Sequence, residues 1–116
     1  MLAGDTVREL GPGNQIANDF VVPYYLEDVK RRISIARVQD RLHAFDDLCT
    51  CANEACPLSG GLLTGATIMC QCHGSLFDLT TGAVVRGPAT KALCVYQVEE
   101  VEGTVQVRLR ATNDPE

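Results

Sequence analysis

Five of the six cysteines in this chain lie in two short segments, and one of these segments also contains a histidine. The first segment covers residues 49–58 with the sequence CTCANEACPL, and the second covers residues 70–75 with the sequence CQCHGS. Thiolates and an imidazole separated by one or two residues can converge on one metal site from a tight turn. Clustering of this kind favours metal or redox chemistry, with either zinc or iron-sulfur ligation, over a secreted disulfide framework.

The charge balance limits the classes of partner. The chain has 10 Lys and Arg residues against 15 Asp and Glu residues, which gives a net charge of -5. Nucleic-acid backbones and anionic membrane surfaces repel such a chain, so we expect neither as a partner. A protein that docks electrostatically is expected to present a basic face.

The sequence contains no stretch that resembles a secretory signal or a membrane span. The N-terminal stretch MLAGDTVRELGPGNQ lacks a basic start followed by a continuous apolar run. The internal pair Arg31-Arg32 leads into the alternating run ISIARV, which is unlike the apolar region that follows a twin-arginine signal. We therefore expect a soluble, cytoplasmic protein.

Short apolar runs separated by turn residues must position the two Cys-rich segments, and they predict an antiparallel β domain. These runs are FVV before Pro23, ISIARV after Arg32, LHAF after Gln39-Asp40, TIM before Cys70, and FDL before Thr81-Gly82. The clearest hairpin alternates apolar and polar residues on both sides of a turn at Glu102-Gly103. No segment has a sustained helical period.

The length of the chain, 116 residues, fits one ordinary domain with one core. Residues 1–18 are rich in glycine and polar residues, and we expect them to form an N-terminal extension. Residues 111–116 are expected to be a C-terminal tail. A single domain is therefore predicted over residues 19–110.

The order of these motifs resembles the Rieske family, whose ligands follow a C-x-H and a C-x-x-H motif within a β sandwich. The resemblance covers roughly residues 31–109, and it rests on the strings HAFDD, CPLSGG, CQCHGS, FDLTTG, GPA and LCVYQV, in that order. It implies an all-β fold, a Rieske-type antiparallel β sandwich or barrel with a small subdomain of two loops. It also implies a [2Fe-2S] cluster between those loops.

The first loop departs from the family pattern because it contains no histidine. Counting forward from HAFDD makes Cys49 the first family cysteine and Cys51 the substitute for histidine, with a two-residue insertion before Cys56. Counting backward from Cys56-Pro57-Leu58 makes Cys51 the first cysteine and Asn53 the substitute. Both alignments remain open from the residues alone.

Cys51, Cys70 and His73 are candidate ligands in both alignments. A thiolate binds iron firmly, whereas an Asn amide is a weak, neutral ligand, so we expect Cys49 as the fourth ligand. A thiolate in place of an imidazole adds negative charge beside the metal and disfavours the reduced state. The reduction potential is then expected toward the lower end of the range of about -400 to +300 mV that plant-type and Rieske clusters span.

The resemblance implies roles for further residues around the cluster. Cys56 and Cys72 match positions that form a disulfide in high-potential members of the family. Ser75 matches a residue whose hydroxyl can donate to a cluster sulfur. Pro88 lies in a loop that covers the cluster, where a proline gives a stiff lid without an amide donor.

The resemblance implies an electron carrier and not an enzyme. Such a protein passes single electrons between a flavin reductase and an oxygenase, or another oxidoreductase partner. Two alternatives remain open. The missing histidine motivates a cluster-free Rieske fold with a structural or interaction role, and the ligand types also permit a structural zinc site formed by Cys49, Cys51, Cys70 and His73.

Three features near the loops are predicted to be structural. His43 is expected to be a partly exposed strand residue, and Cys94 a small buried core residue. The pair Asp46-Asp47 is expected to be solvated at a turn.

Overall fold

The computed structural model describes residues 7–27, 30–47, 57–71, 74–87, 89 and 91–111. The strands are β1 (Val7–Pro12), β2 (Phe20–Leu26), β3 (Arg31–Val38), β4 (Arg41–Asp46), β5 (Leu62–Thr64), β6 (Thr67–Met69), β7 (Leu76–Asp78), β8 (Val84–Arg86), β9 (Val95–Val101) and β10 (Thr104–Ala111). Short 3-10 turns cover Gly13–Gln15 and Leu58–Gly60. The described residues contain no α-helix, and therefore no helix that could cross a membrane. The predicted all-β fold is confirmed.

The strands form two antiparallel sheets. The large sheet has the order β1-β10-β9-β4-β3-β2, and the small sheet has the order β5-β6-β7-β8. The loop of residues 70–75 connects β6 to β7, and the segment of residues 47–61 leads from β4 into β5. The second Cys-rich segment therefore connects two strands of the small sheet, and the first lies in the chain between β4 of the large sheet and β5 of the small sheet.

Both faces of the large sheet contribute buried residues to a hydrophobic core. One face packs into a core that includes Ile33, Ile35, Tyr96 and Val107. The opposite face contributes residues to a second core, shared with the small sheet, whose buried members are Ala36, Phe45, Leu58, Ile68, Cys70, Phe77, Leu79, Ala89, Leu93 and Val95. This shared core holds the small sheet, and the loop that it carries, against the large one.

Two predicted hairpin turns are confirmed by their backbone angles. Gln39 and Asp40 have φ angles of 50° and 65°, and Glu102 and Gly103 have φ angles of 51° and 81°. Consecutive positive φ angles match the right-handed twist of the strands on either side. The first turn joins β3 to β4, and the second joins β9 to β10.

The segment predicted as an N-terminal extension contains a strand of the large sheet. β1 pairs with β10 from Val7 opposite Arg108 to Pro12 opposite Thr104, with an irregularity at Gly11. Arg37 on β3 secures the following residues, because its guanidinium donates to the carbonyls of Ile16 at 2.6 Å and Gly13 at 3.0 Å. The boundary predicted at residue 19 thus cuts through residues that belong to the sheet. Composition does not indicate β1, because an edge strand is held mainly by backbone hydrogen bonds. Glycine-rich sequences can form these bonds as well.

Candidate functional site

The second Cys-rich loop is a tight turn between β6 and β7. The Cys70 amide donates to the Ser75 carbonyl at 2.8 Å, and the Gly74 amide donates to the Cys70 carbonyl at 3.0 Å. Gly74 has a φ of 81°, a conformation that favours glycine because a Cβ would be strained there. These two bonds close the loop at its base. The backbone at Cys70, Gly74 and Ser75 is therefore tied together at the base of the loop.

Cys70 begins this loop and is completely buried. It packs in the shared core together with Leu58, Ile68 and Phe77. A candidate ligand in such a position is oriented by the core beneath it. Exclusion of water from the thiol side of a metal site is also one of the factors that set the reduction potential of an iron-sulfur cluster.

Ser75 ends the loop and connects it to the segment of Gly87 and Ala89. The Ser75 side chain is fully buried, and its Oγ accepts a hydrogen bond of 3.0 Å from the Ala89 amide. A hydroxyl that accepts a hydrogen bond keeps its own hydrogen for donation. The geometry is thus compatible with the donor role expected for Ser75.

The two ends of the first Cys-rich loop meet at Asp47. The Leu58 amide donates to the Asp47 carbonyl, and the Ser59 amide donates to Oδ1 of Asp47 at 2.7 Å. The chain therefore leaves the large sheet at Asp47 and returns to the same place at Leu58. Leu58 lies in the same core as Cys70, so the base of the first loop adjoins the base of the second.

Two of the predicted site residues, Cys70 and Ser75, are described, and they lie at the two ends of one loop. The other predicted site residues are outside the described residues: Cys49, Cys51, Asn53, Cys56, Cys72, His73 and Pro88. The ligand set and the Cys56–Cys72 disulfide therefore stay predictions.

Asp47 was predicted to be a solvated turn residue, and that prediction is wrong. It is fully buried, and its carboxylate is bound by side chains from β3 and from the turn after the first loop. Strand alternation indicates the face on which Asp47 lies, but not the donors that bind it there. Phe45 and Asp47 are two residues apart, so they point to the same face, and Phe45 is a core residue.

Asp46 also differs from expectation, because it is half-buried and hydrogen-bonded on the opposite face. The Tyr96 hydroxyl donates to Oδ1 of Asp46 at 2.5 Å, and the Asp46 amide donates to the Cys94 carbonyl at 3.0 Å. Burial raises the pKa of Asp46, while the hydrogen bond from Tyr96 and the charge of Arg31 oppose that rise. Burial and the nearby carboxylate raise the pKa of Tyr96 strongly. Cys94 is half-buried beside this group and packs against the core of the large sheet.

His43 is a structural residue of β4, as expected. It is half-buried, and its ring hydrogen-bonds the backbone of Leu79, which follows β7. Burial and the charge of Arg41 lower the pKa of His43, whereas Asp78 and the hydrogen bond oppose that change. His43 therefore connects β4 of the large sheet to the residue that follows β7 of the small sheet.

The donor chemistry fits an iron-sulfur cluster. Thiols and an imidazole are the ligands that such clusters take, and the two segments offer both. Cys70 is buried at the start of the second loop, and its amide donates to the carbonyl of Ser75, whose side chain is also buried. The first segment contains Cys49, Cys51 and Cys56, and Leu58 at its end is anchored in the same core as Cys70.

Comparison with known proteins identifies relatives. Residues 8–103 match the model of the Rieske [2Fe-2S] domain. The chain is 39% identical over 75 residues to ferredoxin CarAc from Metapseudomonas resinovorans, an alignment that covers 65% of this chain and 68% of that protein. It is 32% identical over 80 residues to the anthranilate 1,2-dioxygenase ferredoxin subunit from Burkholderia cepacia, which covers 69% and 72% of the two chains.

A solved structure extends the similarity to nearly the whole fold. The chain aligns with a component of the complex of reduced oxygenase and oxidized ferredoxin in carbazole 1,9a-dioxygenase with a TM-score of 0.85 and 26% identity. The alignment covers 96% of this chain and 100% of the matched chain. Both Cys-rich segments fall within the residues that match the family model. The chain therefore belongs to the Rieske [2Fe-2S] domain family and is an electron-transfer protein of the ferredoxin type.

Proposed function

We propose that this ferredoxin carries single electrons from a flavin reductase to an oxygenase or to another oxidoreductase. The observation that carries the proposal is the similarity, over 96% of the chain, to a structure in which ferredoxin and oxygenase form a complex. The names of several relatives agree, since they are ferredoxin components or subunits of anthranilate and naphthalene dioxygenase systems. Substrate oxidation belongs to the oxygenase in such a system, so this chain is a carrier component and not itself the enzyme. Location in the cytoplasm stays a prediction from the sequence.

The proposed ligands are Cys49, Cys51, Cys70 and His73, with Asn53 as a ligand in the alternative alignment. A bound [2Fe-2S] cluster supplies a one-electron redox couple. The role of the chain is to hold this couple rigidly, because a site that does not rearrange exchanges electrons readily. The buried Cys70 and the closed loop that follows it support this role.

Other residues are proposed to enclose the site. Ser75 donates its hydroxyl hydrogen to a cluster sulfur while its oxygen accepts from Ala89. Pro88 covers the site from the segment that Ala89 anchors in the shared core. A disulfide between Cys56 and Cys72 joins the two loops, and intact mass with and without reductant tests it.

Spectroscopy of the protein is the first test of this proposal. Anaerobically prepared, dithionite-reduced protein is expected to give a rhombic iron-sulfur EPR signal with matching iron and acid-labile sulfide. A colourless protein after reconstitution with iron and sulfide would instead favour a cluster-free structural subunit. Zinc without sulfide under the same conditions would favour the zinc site.

Electron delivery is tested in a second experiment. A flavin reductase, an NAD(P)H donor and a Rieske oxygenase are mixed with and without the ferredoxin. Substrate-dependent turnover should appear only when the ferredoxin is present, and it should saturate with ferredoxin concentration. Equal turnover with cluster-loaded and cluster-free ferredoxin would contradict an electron-carrier role.

A further inference from the structure

The Asp47 carboxylate is fully buried, and within the described part of the chain its hydrogen bonds and its ion pair are all to donor groups. Its Oδ1 accepts from Ser34 Oγ at 2.6 Å and from the Ser59 amide at 2.7 Å. Its Oδ2 accepts from Ser59 Oγ at 3.2 Å and forms an ion pair with Nε of Arg32. A buried carboxylate is unfavourable unless it is paired and hydrogen-bonded, and this one is both.

These donors come from separate parts of the chain. Arg32 and Ser34 lie on β3, whereas Ser59 lies in the 3-10 turn that ends the first Cys-rich loop. The backbone of Asp47 reinforces the same arrangement, because its amide donates to the Arg32 carbonyl at 3.1 Å and its carbonyl accepts from Leu58. Asp47 thus precedes the segment of residues 48–57 and binds the residues that follow this segment to the large sheet.

The place where this segment returns also determines its position relative to the second loop. Leu58 and Cys70 are both fully buried in the shared core. The Leu58 amide donates a backbone hydrogen bond to the Asp47 carbonyl, and Cys70 begins the second loop. A shift of Leu58 away from Asp47 would therefore move the base of the first loop relative to Cys70.

Stability alone does not account for a charged group at this position. Buried ion pairs can often be replaced by apolar residues without loss of stability. The Arg32 side chain is 43% exposed, so water also stabilises its charge. What a carboxylate provides here is several acceptor sites in a fixed orientation, which an apolar residue cannot offer.

We infer that Asp47 is a positioning residue for the iron-sulfur site. Its carboxylate holds the two ends of residues 48–57 together on the large sheet and so sets how the first loop meets the second. Asp47 acts through that loop and does not itself ligate the metal. The inference rests on the proposed assignment of cluster ligands to the first loop.

The test compares Asp47→Asn with Asp46→Asn in the cluster-loaded protein. Asp46 is a matched control, because it is the adjacent carboxylate and its hydrogen bonds lead to β9 and not to the loop. Asp47→Asn is expected to release iron to a chelator about tenfold faster than the wild type, since it loses a charge-assisted contact. The EPR g values should shift as well. Asp46→Asn is expected to stay within about twofold of the wild-type release rate.

Hydrogen exchange provides a readout that does not require the cluster. In Asp47→Asn, a peptide covering residues 57–62 should exchange faster, while peptides from β1 and β10 should not change. Equal iron release, equal g values and equal exchange in the two variants would overturn the inference. If the wild type binds no cluster, the proposed ligand assignment fails, and the exchange of residues 57–62 still decides whether Asp47 holds the ends of the loop.

A milder variant covers the case in which Asp47→Asn does not fold. Ser59→Ala removes one donor to Oδ2 and leaves the Ser59 amide bond to Oδ1 in place. Its iron release is expected to be about threefold faster than that of the wild type. A rate equal to that of the wild type would count against the inference.

Discussion

The Tyr96 hydroxyl donates a 2.5 Å hydrogen bond to Oδ1 of Asp46, across the pairing of β9 with β4. Burial and the Asp46 carboxylate raise the pKa of Tyr96 strongly, which favours the protonated hydroxyl that donates this bond. Asp46 and Asp47 are adjacent in the chain, so their side chains point to opposite faces of the sheet and bind different partners. Asp46 binds β9, and Asp47 binds the ends of the first loop.

Replacing Tyr96 with Phe is expected to raise the pKa of Asp46 further. The Tyr96 hydrogen bond opposes the effect of burial on that carboxyl, so its removal leaves burial dominant. A raised pKa in the folded state means that the folded protein loses stability as the pH rises from the ordinary Asp value to the folded value. This window should extend to higher pH in Tyr96→Phe, and the loss at neutral pH should be about 1–3 kcal/mol. Denaturant unfolding across the pH range measures it.

Tyr24→Phe is the control for this change. Its hydroxyl is buried, and among the described residues no group hydrogen-bonds it. Removal of an unsatisfied hydroxyl is expected to be neutral or stabilising. A loss of stability in Tyr24→Phe as large as that in Tyr96→Phe would show that the hydrogen bond to Asp46 is not the cause.

His43 is expected to make the protein less stable in mild acid. Its pKa is lowered from the ordinary value of 6.5 in the folded state, first by burial and then by the charge of Arg41. As the pH falls below 6.5, His43 therefore binds a proton more readily in the unfolded chain than in the folded chain. The free energy of unfolding falls until the pH drops below the pKa of His43 in the folded state. His43→Gln should lose this part of the pH dependence. The difference in unfolding free energy between the two proteins, measured from about pH 8 to about pH 5, isolates the effect from that of His73. An identical pH dependence in both would contradict it.

Gly61→Ala is expected to be more harmful than Gly13→Ala. A Cβ at Gly61 would clash with the carbonyl of Met69, a backbone atom that cannot move away, whereas a Cβ at Gly13 would meet the flexible Glu100 side chain. We expect Gly61→Ala to lower the unfolding free energy by about 2–4 kcal/mol, and Gly13→Ala by about 1 kcal/mol. Met69 directly precedes Cys70, so Gly61→Ala should also reduce the iron content. Thermal unfolding and iron assay measure the two effects, and equal effects of the two substitutions would contradict the argument.

The fourth ligand can be assigned by paired substitutions in the first loop. Cys49→Ser is expected to lower iron and sulfide content, and Asn53→Ala is expected to leave both unchanged. The reverse result would establish the alternative alignment. If a thiolate replaces an imidazole, redox titration should give a value in the lower part of the range of about -400 to +300 mV. A potential well above zero would contradict the thiolate ligand.

Local features of this protein could be predicted from the sequence. The turns at Gln39-Asp40 and Glu102-Gly103 depend on residues that tolerate positive φ angles between alternating strands. The loop from Cys70 to Ser75 is similarly local, because the strands on its two sides are neighbours. These features follow from residue type and spacing within a few positions.

Long-range features could not be predicted in this way. β1 is part of the sheet because it pairs with β10, a strand at the opposite end of the chain. Neither segment contains a signal for the other, so composition suggested an extension at residues 1–18.

The sequence by itself determined the family, the redox chemistry and the antiparallel β architecture, because these depend on the types and order of residues in short motifs. Only the tertiary structure decided that Asp47 is a buried anchor, because its donors on β3 and at Ser59 are brought to it by strand pairing and by the return of the loop. A carboxylate looks the same in the sequence whether it faces water or a set of buried donors. The free energy of placing it depends on neighbours that are distant along the chain.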